Sequence, residues 1–152
     1  MKEETKALKK LGRILTDRGS KYAVSGCPVL DRSGIDFALS ILKRDRAYAK
    51  ATHNSWAADL TKGGAIKGDD GESGAGMVIV RMLQREGLRD HLIVVTRWYG
   101  GKHLGGDRFR HVQTCVWTYL DEVCFPSPRA PSGAAARFRL RRCHRYKSGA
   151  ST

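Results

Sequence analysis

The chain contains no long apolar stretch. Its longest aliphatic run is Leu92-Ile93-Val94-Val95, far short of the ~20 residues that cross a bilayer. The opening MKEETKALKK lacks the apolar segment of a secretory signal, so the cytoplasm is the expected compartment and no membrane partner is expected. Only four cysteines occur, Cys27, Cys115, Cys124 and Cys143, and none has CxxC spacing. A zinc site and a disulfide framework therefore lack support, and reduced, mostly buried thiols are expected. GxGxxG, GxxxxGK followed by Ser or Thr, HExxH and GxSxG are all missing. Nucleotide, zinc-protease and serine-hydrolase chemistry thus have no signature, and no cofactor or metal is expected.

Acid is missing from one region. Residues 126–152 hold seven Lys+Arg and no Asp or Glu, a net +7, while residues 1–125 hold 21 against 15, a net +6. More than half of the net +13 therefore lies in the last 27 residues. This segment is rich in Pro, Ser, Gly and Ala, the composition of a mobile tail. Arg137, Arg139, Arg141, Arg142 and Arg145 make it a candidate arm for RNA, a ribosome surface or acidic lipid, bound by counterion release. A solubilising tail, or an edge strand with blunting charges, explains it equally well.

What is present suits one domain. The 152 residues are 41% hydrophobic, enough for a single core. The expected division is an N-terminal extension (1–10), a folded domain (11–125) and a basic tail (126–152). LGRILT (11–16) and KYAVSGCPVL (21–30) read as strands joined by a turn. Ser33 with Asp36 resembles a capping box for a helix ending near Arg46. ATHNSWAADL (51–60) has strand character and TKGGAIKGDDGESGAG (61–76) reads as a glycine-rich loop. MVIVRMLQRE (77–86), stopped by Gly87, favours a helix. HLIVVT (91–96) has the continuous apolar run of a central strand. Asp107 is an N-cap candidate for a helix whose apolar face is Phe109, Val112, Val116, Leu120 and Val123. The order β-β-α-β-α-β-α predicts an α/β (α+β) two-layer sandwich of one mixed sheet and one helical layer.

Two constellations invite a functional reading. In TRWYGGKHLGGDRF (96–109), Gly100, Gly101 and Gly105 suit a tight strand-to-helix link. Asp107 at the helix start argues against a phosphate there. Trp98 and Tyr99 should point to opposite sides of the strand end. With Arg97, Lys102 and Arg108 nearby, an outward ring would fit a protein partner or a nucleic-acid base; ordinary packing of both rings is the alternative. The second constellation joins Thr52, His53 and Asn54 to Asp69, Asp70 and Glu72. The acids are too bunched for an EF-hand, Ser55, Ser73 and Cys115 have no local activating base, and no catalytic residue is assigned. A hydrolase built on His53 and the acidic loop is the least supported reading. Asp70 or Glu72 is a candidate ion-pair partner for Arg97.

Taken together, DRAYAK (45–50), ATHNSWA (51–57), DDGESGAG (69–76) and VVTRWYGGKHLGGDRFRHVQTC (94–115) resemble the Impact family, over roughly residues 12–123. That family includes bacterial proteins of the YigZ type and eukaryotic translational regulators, and the RWYGG stretch is closer to the eukaryotic form. Gly106 stands where that form usually has Pro. The resemblance implies a ribosomal-protein-S5-domain-2-like fold with an unusual left-handed crossover. It also implies a non-enzymatic regulator that restrains the starvation-activated initiation factor 2 kinase by competing for its ribosome-associated coactivator, with monomeric actin as a further partner. Coactivator binding is tied to an RWD domain, for which the residues ahead of the first expected strand leave no room. The signature positions carried over are Thr52, His53, Asn54, Asp69, Asp70, Gly71, Glu72, Gly76, Arg97, Trp98, Tyr99, Gly100, Gly101, Leu104, Gly105, Asp107, Arg108 and Phe109, as one candidate surface for translation-control proteins.

Overall fold

The structure, a computed structural model, describes residues 8–124. Its elements run β1 (Lys9–Asp17), β2 (Ser20–Pro28), α1 (Arg32–Leu42), α2 (Arg46–Ala49), β3 (His53–Leu60), β4 (Gly64–Gly68), α3 (Ala75–Glu86), β5 (His91–Trp98) and α4 (Asp107–Cys124). The arginines of the basic tail lie outside the described residues.

The five strands form one sheet in the order β1-β2-β5-β3-β4. β5, the most continuous apolar run, takes the centre, as its composition predicts. Every neighbouring pair is antiparallel, so the sheet is not mixed. The reason is topological: β1–β2 and β3–β4 are hairpins, and each longer connection skips one strand, so parallel strands never touch.

Side-chain alternation divides the sheet's two faces. Tyr22, Val24, Ala57, Ile93 and Val95 face α3 and α4, which contribute Ile79, Leu83, Val112, Val116 and Leu120. Ala23, Trp56, Ala58, Leu92 and Val94 face the other way, against Ile35, Ala38 and Leu42 of α1 and Tyr48 of α2. The α+β sandwich of sheet and α3/α4 is therefore joined by a smaller cover on the second face. Burying a large aliphatic side chain such as Ile79 or Leu83 contributes ~1.5–3 kcal/mol, so both faces stabilise the sheet.

This arrangement fixes the crossovers' relative hand. β2–α1/α2–β3 and β4–α3–β5 run in opposite strand directions, move in opposite senses across the sheet and pass over opposite faces. They are therefore of opposite hand, and one of them breaks the right-handed rule.

Several local expectations need correction. Asp31, not Ser33, caps α1: its carboxylate accepts from Gly34 N at 2.9 Å and Ser33 Oγ at 3.0 Å. Asp36 instead pairs with Arg32 one turn back. α1 ends at Leu42, and a separate turn, α2, begins after Asp45, whose side chain accepts from Ala47 N at 3.0 Å. The expected loop at 61–76 contains β4, which pairs with β3 from Trp56↔Gly68 to Leu60↔Gly64; glycine masked its strand character. Cys27 and Cys115 are free and buried as expected. Cys124 departs from expectation. It is disulfide-bonded and only partly buried in the last turn of α4.

Gly26 marks the tightest contact of sheet and helix. A Cβ there would sit 2.5 Å from Leu92 O and from the Tyr119 ring. Gly26→Ala should cost ~1–3 kcal/mol through overpacking, measured by urea unfolding; an unchanged midpoint would show that this packing yields freely.

Candidate functional site

The motifs singled out in the sequence meet at one end of the sheet, where β5 leaves, β3 begins and the β1–β2 hairpin turns. At their centre lies an ion pair. The Arg97 guanidinium bonds Glu72 Oε1 at 2.5 Å, with only 5% and 2% of the two residues exposed. Arg97 also reaches Ser20 Oγ at 3.5 Å and lies 5.6 Å from the centroids of both the Tyr22 and Tyr99 rings. The expected acidic partner of Arg97 is thus Glu72 rather than Asp70.

The neighbouring acids brace backbone. Asp69 accepts from Gly76 N at 2.9 Å and Gly74 N at 3.2 Å, closing the open end of α3. Gly74 itself has no side chain for that job. Partial burial raises the Asp69 pKa, but these two N–H groups and Lys67 outweigh it and hold the carboxyl below its usual range. Asp70 has φ 48; its carboxylate accepts from Asn54 N at 2.7 Å, and its carbonyl accepts from His53 Nδ1 at 2.8 Å. That second bond places a proton on Nδ1. Ser55 Oγ donates to Asp69 O at 2.9 Å. The acidic loop is therefore stitched to the first three residues of β3.

Asn54 is buried and fully engaged. It accepts from Thr96 Oγ1 at 2.7 Å and donates Nδ2 to Tyr48 O at 3.1 Å. Thr52 caps the other side of the junction: its N–H donates to Arg97 O at 2.9 Å, and its hydroxyl accepts from Tyr99 N at 2.9 Å.

Trp98 and Tyr99 part as alternation requires. Trp98 turns toward the α1/α2 face, donates Nε1 to Ala47 O at 2.8 Å and meets the Tyr48 ring edge-on at 5.4 Å. Tyr99 is 42% exposed and lies 5.9 Å from the His103 ring. Lys102 is exposed, and Arg108 is half-buried with its guanidinium 4.8 Å from the Phe109 ring centre. Gly100 has no room for a side chain, since a Cβ would lie 2.1 Å from Gly19 C. Gly71, Gly101 and Gly105 take positive φ, and Gly76 lies against Asp69 and Lys67.

Asp107 is not the helix cap. It is the first helical residue, and its carboxylate pairs with Arg18 of the β1–β2 turn and with Arg110. Those two cations outcompete the backbone N–H groups, and the Arg18 hydrogen bond leads the causes that lower the Asp107 pKa. Beside them, His111 Nε2 lies 2.7 Å from Asp17 Oδ2.

Chemically, this cluster is a brace. The carboxylates of Asp69, Asp70 and Glu72 are each engaged by internal donors, so they do not converge on a shared free point. Among the described residues, no group of three or more His, Cys, Asp or Glu side chains is placed to hold a metal. Sequence reasoning missed Ser20, Tyr22 and the whole of α2. Asp45 two residues before Ala47 was the available signal, as a short-range cap.

Two outcomes follow. Arg97→Met should cost ~3–5 kcal/mol because it strands a buried carboxylate, and adding Glu72→Leu should recover most of it; chemical denaturation of both variants checks this. The depressed folded pKa of Asp69 means its contribution is present above the ordinary aspartate range and is lost as pH falls through the folded value. Between pH 7 and pH 3, Asp69→Asn should therefore lose stability less steeply than the parent, as followed by urea midpoints.

The family model described as the Impact N-terminal domain matches residues 18–120. The Protein IMPACT homolog of Caenorhabditis elegans is 37% identical over 120 residues, covering 73% of this chain and 46% of its own length. A crystal structure of a hypothetical protein superposes with a TM-score of 0.61 at 18% identity, over 75% of this chain and 59% of that one; this likeness shows the fold alone. The solved structure of the two-domain translational regulator Yih1 aligns with a TM-score of 0.48 at 28% identity, over 75% of this chain and 46% of that one. The chain spans less than half the length of the curated relatives it matches. With two thirds of its residues under the family model and its motif residues gathered into one braced junction, the chain belongs to the Impact family.

Proposed function

We propose that this chain is a non-enzymatic, cytoplasmic regulator of translation that acts by binding proteins of the translation-control machinery. Membership of a family that includes translational regulators supports the process. The observation that supports binding over catalysis is the internal engagement of His53, Asn54, Asp69, Asp70 and Glu72. What the junction leaves outward is contact material: the exposed ring of Tyr99 and the exposed side chain of Lys102. Tyrosine is among the residues that dominate protein interfaces, and a lysine at the rim supplies charge complementarity. In this reading residues 11–125 form the binding domain; its candidate partners are the ribosome-associated coactivator of the initiation factor 2 kinase, which this domain would have to bind without the RWD domain to which that activity is tied, and monomeric actin.

The seven cations of residues 126–152 favour a second activity, RNA or ribosome binding through Arg137, Arg139, Arg141, Arg142 and Arg145. Such binding should fall steeply with salt and vanish when residues 126–152 are removed.

The test of the main reading is direct binding of the full chain to purified coactivator. Tyr99→Ala combined with Lys102→Glu should weaken it roughly tenfold or more with an unchanged melting curve. Equal affinity of the two proteins, or no binding by either, overturns the proposal.

A further inference from the structure

Two signature side chains of this family point their hydrogen bonds at the same small element. Asn54 Nδ2 donates to Tyr48 O at 3.1 Å, and Trp98 Nε1 donates to Ala47 O at 2.8 Å. Both acceptors belong to α2, a single turn of four residues. A turn this short has no stability of its own, yet it is held from several sides. The buried Tyr48 ring packs in the core and meets Trp98 edge-on. Lys10 sits 5.1 Å from the centre of that ring and pairs with Asp45 at 3.4 Å. The Asp45 carboxylate also caps the turn at Ala47 N.

The outer side of this held element is strongly basic. Lys43, Arg44, Arg46 and Lys50 are all exposed, and Asp45 is the only acid among residues 43–50. Lys21 joins them, because it is the register partner of Trp98. Among the described residues no ion pair joins Lys21, Lys43, Arg44, Arg46 or Lys50 to an acid. The one local carboxylate is already engaged by Lys10 and a backbone N–H. Between the cations lie Ala47 and Ala49, both exposed, and the half-buried edge of Trp98. The surface is thus a small apolar floor with a cationic rim, the anatomy of a protein interface. Stacking on the bases of a single strand would call for open aromatic faces, whereas Tyr48 is buried and Trp98 is turned inward.

We propose that α2 and its flanks form a docking surface for an acidic protein segment carrying an apolar side chain between its carboxylates. The apolar group seats on Ala47, Ala49 and the Trp98 edge, and the carboxylates meet Arg46, Lys50 and Lys21. This deepens the protein-binding reading and rests on it. It also assigns Asn54 and Trp98 a positioning role, holding the contact element from beneath. Because the turn is fixed before binding, little ordering cost remains at docking.

The test uses the full chain, so that the basic tail is the same in every sample. The probe is a fluorescent twelve-residue peptide of Asp and Glu with one central Phe, read by anisotropy. Arg46→Glu with Lys50→Glu should weaken binding roughly tenfold or more, since rim charges govern such encounters. Replacing the probe's Phe by Ser should weaken binding to the parent as well. Trp98→Phe removes the bond to Ala47 O but keeps a ring; it should reduce affinity while circular dichroism stays native. Unchanged affinity on reversing Arg46 and Lys50 overturns the proposal. Tighter binding of an oligouridine, with the same dependence on Arg46 and Lys50, overturns it in favour of nucleic acid. Coactivator binding that persists through Tyr99 and Lys102 while the peptide fails separates this surface from the general function.

Discussion

The Arg97–Glu72 ion pair is the constraint around which the functional end of the sheet is arranged. A guanidinium and a carboxylate removed from water face a desolvation cost of several kcal/mol each, which their contact offsets only with good geometry and further partners. The surroundings supply part of these: Ser20 Oγ contacts Arg97 and the Tyr22 and Tyr99 rings flank its guanidinium, while the buried Arg97 Nε has no partner among the described residues. The pair links β5 to the loop ahead of α3, and through Ser20 to the β1–β2 turn. Ser20 Oγ also accepts from Gly100 N at 3.1 Å, so the loop leaving β5 is fastened at the same point. Removing one charge would release three segments together.

From that junction the hydrogen bonds spread in layers. Asp70 and Asp69 fix the start of β3 and the start of α3; Asn54 and Trp98 fix α2 on the opposite face of the sheet. The centre is ionic and buried, while its outermost products are exposed cations. Structural rigidity is thus established inside, and chemistry available to a partner is displayed outside. The opposite-handed crossovers make this possible. One passes over each face, so both a helix start (α3) and a contact turn (α2) are brought to the end where β3 begins.

Much of this was legible in the sequence. Four β-branched or aliphatic residues in succession placed β5 at the centre, because a strand flanked on both sides buries both its faces. The Gly87 stop, rather than apolar spacing, pointed to α3 as a helix, and apolar spacing found most of the buried face of α4. The opposite orientation of Trp98 and Tyr99 follows from alternation alone, and a pairing of Arg97 with the acidic loop was within reach. What escaped depended on tertiary partners. β4 is a strand because β3 offers it a ladder, despite glycines at both ends. Asp107 looks like a cap until Arg18, 89 residues away, takes its carboxylate. α2 is too short for periodicity, and Asn54 and Trp98, which hold it, come from β3 and β5. The sheet's antiparallel character required knowing that each crossover skips a strand, which no local pattern records.

The residues that identify a family need not be those that touch its partners. Here the motif side chains with the strongest geometric demands are the least available: Glu72, Asn54 and Arg97 are buried, and Gly100 is pressed against Gly19. What these buried side chains set at the surface is where α2 sits and where Tyr99 points. Substitution at a braced residue therefore moves the whole junction, whereas a change at Arg46, Lys50 or Lys102 alters charge and leaves the brace intact. The proposed contact residues, Tyr99 of the RWYGG motif and the cations around α2, thus lie at the outer edge of a brace that the buried motif residues form.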